Sequence, residues 1–244
     1  MSSIRALDVV DIARSLGDEP MRATPEGVAE WLLADYSKGG GGGFNYDPAI
    51  LALYDAFRGW HTLKSAVLSC LTSGNPKGRR QNAEAIRAVM PYALENLSTC
   101  HRIGLTAVAI GRFDKRTVYA KIKAPLLRVG VDRSYIVMPG FRMNHRPSEV
   151  AIDVACSIAM AVFSQSNMAG TEFEYLYAGP GIGGGRQFRA IHGTGRRRFG
   201  ESDIDTMLNV FVHGVAIAAG AGVSIREPKL DGYRIIDPDQ PTMF

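Results

Sequence analysis

The sequence predicts an α+β fold, in which a helical N-terminal region precedes a mixed, mainly antiparallel sheet with two buried helices. Three observations lead to this prediction. Helical spacing dominates the first hundred residues, runs of β-branched and aromatic residues follow Gly104, and two apolar segments at 150–163 and 207–225 have the length of core helices. The chain has 244 residues, 46% hydrophobic and 21% charged, which excludes a disordered, collagen-like or coiled-coil protein.

Three helices are predicted in residues 1–103, which we expect to form a mainly helical region. A Thr-Pro pair opens a helix over 25–36, and an Asp-Pro pair opens a second helix over 47–71. The third helix begins near Arg79, and Pro91 is expected to kink or divide it. The five consecutive glycines at 39–43 predict a flexible loop or a point where another backbone approaches.

Residues 104–244 are expected to form an α+β domain that carries a basic glycine-rich loop. A Pro-Ser-Glu sequence opens the apolar helix over 150–163, and Ser202 with Asp205 resembles a capping box for the second apolar helix. The predicted strands are 106–113, 117–122, 135–138, 172–177, 187–192 and a short edge strand at 234–236.

The cysteines and the apolar segments predict a cytoplasmic protein without a membrane span. Cys70, Cys100 and Cys156 are widely spaced in segments that read as helical, so neither a disulfide framework nor a zinc site is expected. Four acidic residues in the first 19 positions are unlike a secretory signal. Segment 207–225 contains Asn209, His213 and three glycines, which favours a buried helix of a soluble protein, with His213 in its core.

Charge divides the chain into three parts. Residues 1–76 have a net charge of −3, residues 77–198 have +11, and residues 199–244 have −4. A concentrated positive field attracts phosphate, so the central block suggests a surface for polyanions. The alternative is that these basic groups are spread over the surface and pair with acidic side chains.

The densest local feature is the segment 179–198, with five arginines, no acidic residue and a run of glycines. Exposed backbone N–H groups and arginine forks both bind phosphate oxygens. A Rossmann site is rejected because a strand, not a helix, is predicted after the glycines, and a P-loop is rejected because its Lys and Ser/Thr are missing. The alternative is a hairpin with solvated arginines. The candidate phosphate-binding residues are Gly183, Gly184, Arg186, Arg189, His192, Arg196, Arg197 and Arg198.

Two further basic stretches are candidates for the same role. Residues 112–146 contain nine basic and two acidic side chains interleaved with aromatic residues. Tyr119, Lys121 and Lys123 alternate on one strand and so share a face, and Lys121 and Lys123 join the candidate site. The third stretch is at a helix start, where positive charge opposes the helix dipole, and comprises Lys77, Arg79 and Arg80.

Catalysis has weak support in the sequence, and we lean toward a protein that is not an enzyme. No nucleophile–base motif is present, and no cofactor or metal site is predicted. His145 and His192 lie in basic surroundings and could serve as acid or base toward a phosphodiester.

Two short segments resemble known families. The string GIGGGRQFRAIHGTGRRRFG is similar to the glycine-rich, arginine-bearing loop of the RRM-like RNA-binding subunits of CRISPR effector complexes. Phe199, Asp203 and the segment ending at 215–218 resemble the closing helix of GAF sensor domains, which implies small-ligand sensing.

The resulting hypothesis is a non-catalytic protein that binds the phosphate backbone of RNA or DNA, together with other protein subunits of a larger assembly. Two alternatives stay open. One is a GAF-like domain that senses a small anionic ligand such as a nucleotide, and the other is a structural interaction module that uses 39–43 as a tether.

Overall fold

Helices and strands both contribute to the fold. The computed structural model describes residues 3–4, 7–36, 44–144, 146–164, 168, 170–225 and 228–237. Within them lie α1 (Val9–Ser15), α2 (Pro25–Tyr36), α3 (Asp47–Phe57), α4 (Leu63–Thr72), α5 (Arg79–Glu95), α6 (Glu149–Ser164) and α7 (Glu201–Gly220). The strands are β1 (Ser3–Ile4), β2 (Leu7–Asp8), β3 (Thr99–Arg102), β4 (Leu105–Phe113), β5 (Arg116–Ile122), β6 (Leu126–Val129), β7 (Ser134–Gly140), β8 (Glu172–Pro180), β9 (Arg186–His192), β10 (Ser224–Ile225) and β11 (Tyr233–Ile236).

The strands form two mixed sheets and one two-residue pair. The larger sheet has the order β3-β6-β7-β8-β9, in which only β7 and β8 are parallel, with α6 in the connection between them. The smaller sheet has the order β11-β4-β5-β2, with an antiparallel centre and parallel outer strands. Strands β1 and β10 form the short parallel pair. The predicted α+β class is confirmed, and β11 is the predicted edge strand.

The five-stranded sheet separates two hydrophobic cores. On one face, α3, α4 and α5 contribute Leu53, Cys70 and Ile86, respectively, to a core shared with Val137 and Leu176 of the sheet. On the other face, helices α1, α2, α6 and α7 share a core with the opposite side chains of β7 and β8 and with the four-stranded sheet. The two predicted buried helices, α6 and α7, are both in this second core. The division of the chain at residue 103 stays a prediction, and helices from before that residue pack in both cores.

A buried ion pair lies between α5 and the larger sheet. Arg128 on β6 donates two hydrogen bonds to the carboxylate of Glu174 on β8, from Nη2 to Oε1 at 2.6 Å and from Nε to Oε2 at 3.2 Å. The Tyr92 hydroxyl on α5 donates a third, at 2.6 Å to Oε1. Glu174 is 0% exposed. Because these partners satisfy the carboxylate, a charged residue is tolerated in the middle of the sheet.

The helix predicted over 47–71 is wrong in one respect, because two helices occupy this range. Gly59 has a φ of +75°, the left-handed conformation that ends helices. A capping box then starts α4, since the Thr62 hydroxyl accepts from the Ser65 N–H and the Ser65 hydroxyl accepts from the Thr62 N–H. By contrast, α5 continues through Pro91, held by Val89, Met90 and Ala93, which are all fully buried.

Four further details correct the sequence interpretation. The capping box at Ser202 is wrong, because the N-cap of α7 is Gly200, two residues earlier, which has no side chain to accept a hydrogen bond. His213 is exposed on α7 rather than buried in the core. Cys100 lies on a strand, β3, that was not predicted, and β6 was also missed because both strands are only four residues long.

In the described part of the chain, no helix is both long enough and apolar enough to cross a bilayer.

Replacing Arg128 tests the buried pair. Arg128→Met is expected to lower the free energy of unfolding by about 3–5 kcal/mol, because it leaves the Glu174 carboxylate buried without its main partner. Urea unfolding measures this loss. The double variant Arg128→Met, Glu174→Leu removes both charges and should recover most of the stability. A loss of under about 1 kcal/mol in the single variant would contradict the assigned role.

Candidate nucleic-acid interface

The glycine-rich segment forms the turn of the β8–β9 hairpin. The Gly181 N–H donates to the Gly185 carbonyl at 3.1 Å, and the Gly184 N–H donates to the Gly181 carbonyl at 3.3 Å. Gly184 and Gly185 have φ values of +84° and +67°, which explains why glycine occupies both positions. A Cβ added at Gly183 or Gly184 would meet no atom within 4 Å, so the backbone of this turn is open to approach. The predicted hairpin is confirmed.

Side chains alternate along β9 and therefore face different cores. Phe188 and Ala190 pack against the core of α3–α5, whereas Ile191 belongs to the core that contains α6. By the same alternation, Arg186 and His192 lie on the α5 side and Arg189 lies on the α6 side. The candidate residues of this strand do not share one surface.

Arg186 holds the hairpin against the N-terminal helices. Its Nη1 donates to the carbonyls of Phe141, at 2.7 Å, and Ala178. Its Nη2 donates to the Gln81 carbonyl at 3.1 Å and to the Tyr46 hydroxyl at 3.2 Å. Four protein oxygens thus engage the two terminal nitrogens of the guanidinium, which positions β9 against the start of α5.

His192 lies beside the buried ion pair. Its Nδ1 is 3.7 Å from Oε1 of Glu174, and its ring centroid is 5.5 Å from that of Tyr135. Nδ1 is buried and has no hydrogen-bond partner in the described part of the chain, whereas the side chain as a whole is 40% exposed. The accessible part of the ring is therefore the part away from Nδ1.

Arg189 and Arg196 both pair with acidic side chains at the start of α6. Arg189 Nη2 is 2.7 Å from Glu149 Oε1, and Arg196 Nη1 is 3.0 Å from Glu149 Oε2. Arg196 Nε also contacts Oδ1 of Asp153 at 2.5 Å. Burial alone would raise the pKa of Glu149, but the hydrogen bonds and charges of the two arginines outweigh it and hold the pKa below its ordinary range.

Arg197 and Arg198 lie at the exposed end of this loop. The Arg197 guanidinium lies 4.5 Å above the Phe199 ring, and among the described residues no carboxylate is within ion-pair distance of it. Arg198 is 53% exposed and contacts Glu172 at 3.3 Å. The Phe199 N–H donates to Ser157 Oγ on α6 at 3.0 Å, which anchors the loop while the two arginines point outward. Arg133 joins this end through a 3.2 Å hydrogen bond to Thr194.

The candidate residues are spread along the hairpin rather than gathered in a pocket. The glycine turn follows the carboxyl end of β8, and Arg196–Arg198 follow the opposite end of β9. Because β8 has nine residues, its two ends are roughly 30 Å apart. Arg189 and Arg196 both contact Glu149 and so lie close together, whereas Arg198 contacts Glu172 at the start of β8. This arrangement along the hairpin suits an extended polyanion.

Lys121 lies on β5 of the other sheet, and Lys123 directly follows that strand. Lys123 Nζ is 3.4 Å from Oδ2 of Asp8, and Lys121 Nζ donates to the Lys229 carbonyl at 3.3 Å. Arg142 also contacts Asp8, at 2.5 Å, as well as Asp11 at 2.7 Å. Burial would raise the pKa of Asp8, but Arg142 and Lys123 lower it, whereas burial and the nearby Asp8 raise the pKa of Asp11.

Sequence reasoning missed the acidic residues that meet the arginines. Glu149, Asp153 and Glu172 lie on α6 and β8, up to 47 residues before their partners. One signal in the sequence could have indicated them, namely the acidic first turn of α6. Because α6 connects the parallel strands β7 and β8, it packs beside the β8–β9 hairpin, where the arginines are. His145 and the glycine run 39–43 lie outside the described residues.

Other features of the described residues offer little chemistry. No group of three or more His, Cys, Asp or Glu side chains in the described ranges is placed to hold a metal ion. Burial raises the pKa of the thiols of Cys70 and Cys100 to about 11 and that of Cys156 to about 12, so all three are protonated at neutral pH. A solvent-open cavity of about 610 Å³ is lined by residues that include Phe44, Leu51, Gly74 and Arg102, and by none of the candidate residues.

No family model, no curated protein and no solved structure matches the chain. Its side-chain geometry and charge therefore carry the functional argument.

Two arginine variants separate structural from exposed positions. Arg186→Ala is expected to lower the free energy of unfolding by about 3 kcal/mol, because it leaves buried carbonyls without their charged donor. Arg197→Ala should change it by no more than about 0.5 kcal/mol, since it removes only an exposed side chain. Urea unfolding of both variants measures the difference, and equal losses would contradict the division.

The ion pairs of Glu149 predict a pH-dependent contribution to stability. A carboxyl whose pKa is lowered by folding stabilises the protein above its unfolded-state pKa of about 4.3, and this contribution is lost as the pH falls through the folded-state pKa. Glu149→Gln should therefore be less stable than the wild type at neutral pH, with a difference that disappears in acid. Unfolding at a series of pH values measures this difference, with the exposed Glu30→Gln on α2 as the control. A difference that does not change with pH would exclude the ion pairs as its source.

Proposed function

We propose that the protein binds the phosphate backbone of a nucleic acid through the exposed basic end of the β8–β9 hairpin. The contacts are made by Arg197 and Arg198, with Arg133 and Arg189 beside them. The observation that carries this proposal is the outward placement of two consecutive guanidinium groups in a loop that α6 anchors through Ser157. The net charge of +11 in residues 77–198 supports it.

The ion pairs of this region are compatible with the proposal. Arg198–Glu172 and Arg189–Glu149 involve side chains that are partly exposed, and such pairs contribute at most about 1 kcal/mol. A phosphate that accepts a forked pair of hydrogen bonds replaces such a partner at little cost. Arg196 is only 17% exposed and pairs with two carboxylates, so its role is to hold the loop on α6.

Arg186 also has a positioning role in this proposal, because protein oxygens occupy its terminal nitrogens. Gly183 and Gly184 present open backbone at the other end of the hairpin. Lys121 lies on the smaller sheet and Lys123 directly follows its strand β5, and both are left out of the proposed contact surface. Other protein subunits and a cytoplasmic location stay predictions from the sequence.

Fluorescence anisotropy with labelled single- and double-stranded RNA and DNA at several salt concentrations tests the proposal. The logarithm of the binding constant should fall linearly with the logarithm of salt concentration, because bound phosphates release counterions. Arg197→Gln with Arg198→Gln should reduce this slope by about two, one for each lost contact. The charge-matched control replaces Arg22 and Arg234, which are exposed elsewhere, and should leave the slope unchanged.

Salt-independent binding, or equal slopes in the two double variants, would contradict the proposed surface. Absence of binding to all four nucleic acids at low salt would reject nucleic-acid binding for the isolated chain. Ligand screens with nucleotides would then test the small-ligand alternative.

A further inference from the structure

Trp60 lies in the link between α3 and α4, outside the proposed contact surface. It is 63% exposed. The chain contains two tryptophans, and the other, Trp31, packs against the core from α2. Tryptophan is largely buried in most proteins, because its ring is large and apolar. A single exposed residue does not by itself identify a ligand, so the groups around Trp60 decide what it binds.

The Arg58 guanidinium lies against the Trp60 ring. Its central carbon is 3.3 Å from the centroid of that ring and 5.0 Å from the centroid of the Tyr54 ring. Arg58 Nη1 also donates to the Tyr54 hydroxyl at 2.6 Å, which holds the guanidinium in place. Cation–π attraction therefore orders the indole although it is exposed. An ordered aromatic ring with an arginine beside it is a surface on which a nucleobase stacks.

The charge beside Trp60 favours a polyanion. Among the described residues no carboxylate pairs with Arg58, and Asp55 of the same helix lies 3.6 Å from His61 instead. Lys64, at the start of α4, is exposed. An aromatic ring next to basic groups is the combination with which single-strand binders hold bases and phosphates.

Trp60 is held near the start of β3. The Ser98 N–H donates to the Phe57 carbonyl at 2.8 Å, which places the end of α3 beside the residue that precedes β3. The Trp60 N–H donates to the Asp55 carbonyl at 2.9 Å, so the link folds back on the end of α3. Trp60 therefore lies at the end of the five-stranded sheet where β3 begins.

The basic end of the hairpin is at the same end of this sheet. Strand β3 is antiparallel to β6, β6 is antiparallel to β7, and β7 is parallel to β8, so β3, β7 and β8 all begin there. Arg198 contacts Glu172, the first residue of β8, at 3.3 Å. Arg133 directly precedes β7, which lies between β6 and β8. Three strand spacings of about 4.8 Å separate β3 from β8, which is roughly 14 Å.

We propose that a single-stranded nucleic acid lies across this end of the sheet, with its phosphates on Arg197 and Arg198 and one base stacked on Trp60. This inference rests on the proposed function and adds to it a preference for single strands. At a stacked spacing of about 3.4 Å per nucleotide, four or five nucleotides span roughly 14 Å. An unpaired base can turn a free face to the indole, whereas the bases inside a duplex are stacked on both faces.

Tryptophan fluorescence tests the base contact, because Trp60 is one of only two tryptophans. In the variant Trp31→Phe, Trp60 is the only source of tryptophan emission. Titration with a single strand of about 8 nucleotides, which is within the site sizes of single-strand binders, should quench this emission. A duplex of the same length should change it little. If Trp31→Phe does not fold, the difference between the wild type and Trp60→Phe gives the same signal.

Anisotropy with labelled oligonucleotides measures the contribution of the ring to affinity. Trp60→Ala should weaken binding of the single strand about tenfold, within the range for stacking of one base on an aromatic side chain, and leave duplex affinity unchanged. Trp60→Phe retains an aromatic ring and should lose less. The control is Leu68→Ala on α4, which removes another exposed apolar side chain, 58% exposed, and should leave both affinities unchanged.

The outcomes separate this inference from the proposed function. If neither single strands nor duplexes bind, the proposed function itself fails. If nucleic acids bind and Arg197→Gln with Arg198→Gln reduces the salt slope, but Trp60 emission and the affinity of Trp60→Ala are unchanged, the base contact is wrong and the phosphate surface stands alone. Equal weakening of single-strand and duplex binding by Trp60→Ala would also overturn base stacking.

Discussion

Helices cover both faces of the five-stranded sheet, and this double coverage constrains every charged side chain on its central strands. Glu174 is 0% exposed, and among the described residues its carboxylate receives its hydrogen bonds from Arg128 and Tyr92. The desolvation of two charges in such a position is compensated only when the geometry is close to ideal. The pair thus fixes how β6, β8 and α5 sit relative to one another, and with them the base of the hairpin.

The same coverage decides what the basic residues of β9 can do. Arg186 faces a covered side of the sheet and meets protein oxygens, whereas Arg197 and Arg198 follow the strand and are exposed. The proposed phosphate contacts rest on this exposure of Arg197 and Arg198. The arginines of segment 179–198 therefore fall into two groups, those that hold the hairpin in place and those that face solvent. Strand alternation and strand length decide to which group each arginine belongs.

Local signals predicted much of the fold. The Thr-Pro start of α2, the β8–β9 hairpin and the apolar α6 all depend on residues close in sequence. The break between α3 and α4 was missed because its causes, the left-handed Gly59 and the Thr62–Ser65 capping box, lie in or beside a link of only five residues, 58–62, between two apolar segments. The candidate site was harder to predict, because Glu149 and Asp153 reach Arg196 only through the β7-α6-β8 connection. No periodicity in the sequence reveals such distant ion pairs.

Amide hydrogen exchange with and without a saturating oligonucleotide tests the central claim most directly. The account predicts slower exchange in the loop 193–200, which carries Arg197 and Arg198, while the four-stranded sheet is unchanged. Protection confined to the four-stranded sheet, or to the cavity beside Phe44, would contradict it.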